Sequence, residues 1–214
     1  MGNATRLGVF AAGLAVVLSA AAYEYPVRDY SVRDAYFLGR RKDEKTATFL
    51  SQYVKRFSLP SRGPHIAEIE LRTPYQLVVL RARNAPDGYS SQQAAQEYRA
   101  ASDTVVVRVL IYLTPTYPAH TPLHLVQVEP VQLRAEDFWR EFAFGLYQQG
   151  EIEPRKVTGR PIYGSSEPGL PGLTGAEVEL EFKASDLIEA PARVVVVAPT
   201  RQRVEAEFDL AKLR

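Results

Sequence analysis

Apolar positions are densest between Thr104 and Leu113, a run rich in β-branched and aromatic residues. Its odd-numbered positions are all apolar, and its even-numbered positions from 106 to 112 are apolar or aromatic except for Arg108. A strand that is apolar on both faces is covered on both sides. The pattern therefore predicts a central strand, with covering layers supplied by the segments before and after it. We interpret Arg108 as structural, because a buried guanidinium needs a carboxylate or several carbonyl groups as partners.

Helical periodicity dominates the residues before this strand. One helix is predicted over Val32–Arg41, and a second begins after the capping residue Asp43. Apolar or aromatic residues at three- and four-residue intervals continue the second helix to Phe57, so the two form a helical hairpin. Residues 66–71 fit either a short strand or a helical turn. Thr73-Pro74 and Ser90 with Gln93 carry the capping pattern of two further helices.

After the central strand, the pattern becomes that of short β-strands. Val178, Leu180 and Phe182 alternate with glutamates, and residues 194–197 and 204–210 continue the strand pattern. The segment from Gly164 to Gly175 is predicted to be a flexible loop from its Gly, Pro and Ser content. Short strands with polar outer faces predict an antiparallel β-sandwich. An immunoglobulin-like module over about residues 123–214 is the favoured form, although the Cys and Trp spacing of true immunoglobulin domains is absent.

The predicted fold class is therefore α+β. A mainly helical region, residues 23–102, with a helical hairpin and short helices, is followed by a β-rich, sandwich-like region, residues 103–214. These regions are interpreted either as two domains or as parts of one core joined through the central strand.

The first 22 residues have the pattern of an export signal. Arg6 is followed by an uncharged apolar run from Leu7 to Ala22, which ends in three small residues suited to signal peptidase cleavage before Tyr23. This predicts a protein exported to the periplasm or secreted. The alternative is an uncleaved membrane anchor, although about 16 apolar residues fall below the roughly 20 that span a bilayer.

Charge and cysteine content restrict the partners further. Removing residues 1–22 leaves 25 basic residues (26 minus Arg6) and 25 acidic ones. This balance predicts no nucleic-acid binding, and membrane contact only if the N-terminal segment stays uncleaved. The chain contains no cysteine, which excludes disulfides, thiol chemistry and a lipid anchor on cysteine.

Histidines and paired carboxylates are the first candidates for metal binding or acid–base catalysis. His120 and His124 have a metal-ligand spacing, but Pro118 and Pro122 disfavour the helix that would align them, so a surface loop is favoured. His65 is interpreted as a surface or packing residue. Asp137 and Glu141 are one helical turn apart, as an acid–base pair would be. Arg134 and Arg140 are expected to pair with them instead.

Two charge clusters have both a functional and a structural interpretation. Glu177, Glu179 and Glu181 would form a calcium-binding surface if their strand paired with the one that carries Glu205, Glu207 and Asp209. We favour a charged outer face that prevents edge-to-edge aggregation, neutralised by Lys183, Arg201 and Arg203. Residues 40–42 and Lys45 are basic, and an ordinary helix–loop charge cluster is favoured over contact with an anionic lipid or polymer.

No known catalytic or cofactor-binding motif is present. The chain lacks G-x-S-x-G, a phosphate-binding glycine-rich loop, H-E-x-x-H and C-x-x-C, so no cofactor, metal or catalytic residue is predicted. The favoured function is a non-catalytic module that binds another envelope protein or a small apolar ligand. Tyr23, Tyr25 and Tyr30 are its predicted contacts, because tyrosines suit interfaces. The alternatives are a membrane-anchored assembly factor and an envelope hydrolase with residues 164–175 as a lid.

Overall fold

A computed structural model describes residues 22–101, 103–119, 134–167 and 170–214. Within these ranges the chain forms α-helices and two antiparallel β-sheets, which confirms the mixed α+β class. The helices are α1 (Asp29–Arg41), α2 (Glu44–Ser51), α3 (Pro74–Asn84) and α4 (Ser91–Ala100). The strands are β1 (Val54–Arg56), β2 (His65–Arg72), β3 (Thr104–Tyr112), β4 (Ala143–Tyr147), β5 (Glu151–Ile152), β6 (Lys156–Glu167), β7 (Leu170–Lys183), β8 (Pro191–Val197) and β9 (Arg203–Asp209).

The first sheet is organised around β3, as the sequence predicts. Its strand order is β1-β2-β3-β7-β6, and Val107 of β3 pairs with Leu71 on one side and Leu180 on the other. The odd-numbered residues of β3 are buried, but Val106 is only half-buried and Tyr112 is exposed. The prediction that both faces are fully covered is therefore wrong. The neighbouring strands place charged side chains on the outer face, and these remain partly in water.

The second sheet, β5-β4-β8-β9, shares its core with the first. Leu146, Val194 and Phe208 from this sheet belong to the same buried cluster as Val107 and Leu180. A 3₁₀ turn, Phe138–Glu141, adds further aromatic side chains, including Trp139, to that cluster. One continuous hydrophobic core therefore joins the two sheets.

The helices form a smaller cluster centred on α1 and α3. Val32 and Ala35 of α1 pack with Tyr75, Val78 and Val79 of α3, while side chains of α2 and α4 contact this cluster from its edge. The helix starts predicted at Thr73 and Ser90 are confirmed.

These starts are fixed by side-chain capping. Thr73 accepts a hydrogen bond from the backbone N–H of Gln76. Ser90 and Gln93 form a reciprocal capping box. Arg40 reaches from α1 to the end of α3, where its guanidinium donates to the Ala85 carbonyl at 3.0 Å. Part of the basic run at residues 40–42 is thus structural.

The second helix of the predicted hairpin is shorter than its periodicity suggests. It begins after Asp43 as predicted but ends at Ser51, and the prediction that it reaches Phe57 is wrong. Tyr53 turns into the core, and its carbonyl accepts from the Leu71 N–H at 3.0 Å. Pairing with β2 satisfies this backbone, so residues 54–56 become a strand instead of a last helical turn.

The prediction that residues 164–175 form a flexible loop is also wrong. Strands β6 and β7 include residues 164–167 and 170–175, where Ile162 pairs with Gly175 and Gly164 with Gly172. Residues 168 and 169 lie outside the described residues. The Thr174 hydroxyl donates to the Ile162 carbonyl at 3.0 Å. Glycine content does not prevent strand pairing when a neighbouring strand supplies the hydrogen bonds.

Two features bear on domain organisation and the N-terminus. Strands β1 and β2 precede residue 102 yet pair into the sheet centred on β3, so that sheet draws on both sides of the predicted boundary. Residues 1–21, nearly all of the predicted export signal, lie outside the described residues. None of the described helices combines the length and the apolarity needed to cross a bilayer.

Candidate functional site

The three tyrosines predicted as partner contacts lie in two different environments. Tyr23 is only 9% exposed, and its hydroxyl donates to the Ala184 carbonyl at 2.7 Å. Burial raises the pKa of its phenol well above the usual value. Tyr25 is exposed, and Tyr30, on α1, is 59% exposed. Tyr23 is thus a core residue, whereas partner contact through Tyr25 and Tyr30 stays a prediction.

The other sequence candidates are accounted for by local contacts or lie outside the described residues. His120 and His124 lie outside the described residues. His65 is half-buried, with Nε2 at 2.9 Å from the Phe57 carbonyl oxygen, so it is a packing residue. Within the described ranges, no group of three or more His, Cys, Asp or Glu side chains is placed to hold a metal ion.

Asp137 and Glu141 pair with neighbouring arginines, as expected. Arg140 Nε lies 3.1 Å from Asp137 Oδ2, and Arg134 Nη1 lies 3.8 Å from Glu141 Oε2. Both carboxylates are more than half exposed, so these pairs contribute little to stability. The arrangement resembles a solvated turn more than an acid–base pair.

The calcium-binding interpretation of the acidic rows is wrong. Strand β7, with Glu177, pairs with β3 and β6, whereas β9, with Glu205, pairs only with β8 in the other sheet. The glutamates of β7 are neutralised by cations of their own sheet rather than by Lys183, Arg201 and Arg203. These cations are Arg72, Arg108, Lys156 and Arg160. Arg108 therefore has the structural role predicted for it.

A cleft lies where α1 and α2 meet the last residues of the chain. Its volume is about 380 Å³, within the range of small-ligand sites. The side chains that surround it come from four segments, and we call this site the α1–α2 cleft: Asp34, Phe37, Leu38, Arg41, Phe49, Gln52, Tyr75, Lys212 and Arg214. Segments distant in sequence thus form a single concave surface.

Arg214 is held in a fixed position at one wall of the cleft. Its guanidinium lies 4.5 Å from the centre of the Tyr75 ring and donates from Nη1 to Asp34 Oδ2 at 2.6 Å. The Tyr75 hydroxyl donates to the same Asp34 oxygen at 2.9 Å. A second nitrogen, Nη2, donates to the Ser31 hydroxyl at 3.1 Å. These contacts leave the Arg214 charge beside the cleft with little rotational freedom.

The backbone of Arg214 is anchored as well. The Tyr53 hydroxyl donates to its carbonyl oxygen at 2.7 Å, and the Thr73 hydroxyl donates to the same oxygen. Burial raises the pKa of both Tyr53 and Tyr75 well above the usual value, so both phenols stay protonated and able to donate. The C-terminal segment is thereby attached to the start of α3.

The rim of the cleft carries two exposed cations. Arg41 lies 2.9 Å from Asp43, and Lys212 lies 2.8 Å from Asp209. Exposed ion pairs contribute at most about 1 kcal/mol, so either cation can turn towards a bound anion at small energetic cost.

The interior of the cleft is apolar and aromatic. Phe37 is 50% exposed, whereas Leu38 and Phe49 are half-buried. Phe49 packs edge-to-face on Tyr75 with ring centres 5.8 Å apart. An apolar surface beside Arg41, Lys212 and Arg214 is suited to a ligand with an apolar body and an anionic end.

Sequence reasoning identified Arg41 as part of a basic run but not the cleft itself. Lys212 and Arg214 are more than 170 positions from α1, and nothing in their local sequence indicates a site. Phe37, an aromatic residue on the exposed side of α1, is the one local signal that could have been followed.

The comparisons with known proteins add no function, since no protein-family model and no curated protein sequence matches this chain.

Proposed function

We propose that this chain is an exported bacterial envelope protein that acts by binding, and that its binding site is the α1–α2 cleft. Export is supported by the apolar run that ends at Ala22. Binding is supported by the geometry of the cleft. The observation that carries the proposal is the pair of exposed cations, Arg41 and Lys212, beside an apolar surface that includes an exposed phenylalanine, Phe37.

The ligand class that fits best is a small anionic amphiphile, with an apolar chain or ring and a carboxylate or phosphate. The apolar part would cover Phe37 and Phe49, which removes apolar surface from water. The anionic end would lie between Arg41 and Lys212, with the Arg214–Asp34 pair forming the wall beside them. This refines the small apolar ligand expected from the sequence, because the cleft adds two exposed cations, Arg41 and Lys212, to the apolar surface.

Octanoate is a direct probe of the cleft. Titration calorimetry with the full chain is expected to give a dissociation constant of about 1 mM or tighter, as a ten-atom ligand in an open site allows. The double variant Arg41→Gln/Lys212→Gln is expected to weaken octanoate binding about fivefold, because it removes both exposed cations. Octan-1-ol, which has no charge, is expected to bind both proteins equally.

A matched variant controls for total charge. Arg193→Gln/Arg203→Gln removes two similarly exposed arginines that pair with Glu205 on the other sheet. This control is expected to bind octanoate like the unmodified protein. If it weakens binding as much as the cleft variant does, or if the unmodified protein does not bind octanoate, the proposal is wrong.

The finer description of the fold is also a proposal. The core shared by the two sheets supports a β-sandwich. The immunoglobulin-like form over residues 123–214 has weaker support, because β3, the centre of the larger sheet, precedes that range. A module cut at residue 123 would lose three strands of the larger sheet.

Protein binding remains the second candidate, and the exposed rings of Tyr25 and Tyr30 favour it. An assembly factor with a retained anchor would use the same surface. The hydrolase alternative loses its proposed lid, because residues 164–175 lie in or between the paired strands β6 and β7.

A further inference from the structure

Aromatic and basic side chains alternate along the exposed side of α1. Tyr30, Arg33, Phe37 and Arg41 follow one another at intervals of three and four residues, which places them on one side of the helix. We call these four residues the α1 stripe. It extends about 16 Å along the helix, and all four side chains are exposed. The Arg33 guanidinium lies 5.7 Å from the centre of the Phe37 ring, so the aromatic and cationic groups are adjacent.

Ion pairs within the protein neutralise one arginine of the stripe, Arg41, which lies 2.9 Å from Asp43, but not the other, Arg33. Asp29 is paired with Arg99 at 2.9 Å, and Asp34 is paired with Arg214 at 2.6 Å. Arg33, by contrast, has no carboxylate within 4 Å in the part of the chain that the structure describes. An anionic surface could therefore contact this arginine without first breaking an ion pair.

The stripe lies close to the point where the apolar run joins the folded protein. Tyr23 follows that run directly, and its backbone N–H donates to the Leu210 carbonyl at 2.9 Å. Tyr30 follows Tyr23 by seven positions, a distance of at most about 25 Å. An export signal enters the membrane during translocation, so the proposed export brings the α1 stripe close to the membrane surface.

We propose that the α1 stripe docks on an anionic lipid bilayer, with its arginines at the phosphate headgroups and its aromatic rings at the interface. Tyrosine and phenylalanine rings suit this depth, and each arginine near an anionic surface contributes a favourable charge interaction. Because Phe37 and Arg41 also belong to the α1–α2 cleft, docking would turn the cleft towards the lipids that could supply an anionic amphiphile. This inference rests on the proposed export and extends the proposed ligand class.

Sedimentation with lipid vesicles tests the docking. The full chain is mixed with phosphatidylglycerol–phosphatidylcholine vesicles or with pure phosphatidylcholine vesicles, and the ratio of the two affinities is measured. The ratio cancels any contribution of the apolar run. We expect about tenfold tighter binding to the anionic vesicles in low salt and little preference in 0.5 M NaCl.

The double variant Arg28→Gln/Arg33→Gln is expected to lower this ratio about tenfold. Arg33 belongs to the stripe, and Arg28, just before α1, is 71% exposed and lies 5.8 Å from the centre of the Tyr30 ring. Neither residue surrounds the cleft, so octanoate binding should be unchanged. The control Arg193→Gln/Arg203→Gln removes equal charge elsewhere and should keep the ratio.

If the unmodified protein shows no preference for the anionic vesicles, as expected if the stripe binds another protein, the inference is overturned. An equal loss in the control would also overturn it. A failure of octanoate binding alone would instead contradict the proposed ligand.

Discussion

Replacing Arg108 with methionine is expected to lower the free energy of unfolding by about 3 kcal/mol, at the low end of the effect of breaking a buried ion pair. The Arg108 side chain is only 18% exposed, and its guanidinium contacts Glu177 at 2.7 Å, Glu68 at 3.0 Å and Glu70 at 3.5 Å. Methionine replaces only the aliphatic part of the arginine side chain and leaves these carboxylates on a partly buried surface without their shared cation. Urea denaturation at pH 7 measures the loss.

Arg160 provides the matched control for this prediction. It contacts the same Glu177 carboxylate, but its side chain is 73% exposed, so Arg160→Met is expected to lower stability by less than about 1 kcal/mol. Equal effects of the two substitutions would contradict the structural role of Arg108.

The effect of Arg108→Met should also depend on pH. Burial raises the pKa of Glu177, but hydrogen bonds and charge from Arg108 and Arg160 outweigh it and hold that pKa below its usual value. A carboxylate with a lowered pKa in the folded state stabilises the protein above the unfolded-state pKa of about 4.3. That contribution is lost as the pH falls through the folded-state pKa. The stability difference between Arg108→Met and the unmodified protein should therefore shrink below about pH 4.

Replacing Gly39 with alanine is expected to lower the free energy of unfolding by about 2 kcal/mol, although alanine favours helices more than glycine does. Gly39 is buried in α1 where this helix crosses α3. A β-carbon at this position would lie 2.3 Å from the Val79 carbonyl oxygen and 2.9 Å from the Ala82 β-carbon. The obstructing oxygen belongs to a helix backbone, so α1 and α3 would have to separate.

Gly150→Ala is the control for this substitution, because its added β-carbon would have no heavy atom within 4 Å. We expect this variant to stay within about 0.5 kcal/mol of the unmodified protein. Thermal denaturation compares the two, and the Gly39 variant should melt several degrees lower. If Gly39→Ala stabilises the protein, helix propensity alone explains the effect, and the close crossing of α1 and α3 at Gly39 is contradicted.

The parts of the fold that sequence reasoning predicted well are those set by local chemistry. Capping by Asp43, Thr73 and Ser90 fixes three helix starts because each cap satisfies N–H groups within a few residues. The central strand is equally visible in the sequence, since β3 is apolar or aromatic except at Thr104 and Arg108.

The parts that were missed depend on distant partners. Residues 54–56 fit a helical period, yet β2 makes them a strand. The segment 164–175 has the composition of a loop, yet residues 164–167 and 170–175 belong to the paired strands β6 and β7. Pairing between strands is invisible to a local pattern because it depends on what lies across the sheet. The same limit explains why the α1–α2 cleft was missed, since Arg214 meets Asp34 only in the folded chain.

Photo-crosslinking tests the central claim, ligand binding in the α1–α2 cleft, most directly. A fatty acid with a diazirine on its alkyl chain is bound to the full chain, activated by light and located by peptide mass spectrometry. We predict labelling of peptides that contain Phe37, Leu38 or Phe49, suppressed by excess octanoate. Labelling confined to the strands of the two sheets, or labelling that octanoate does not suppress, would contradict the claim.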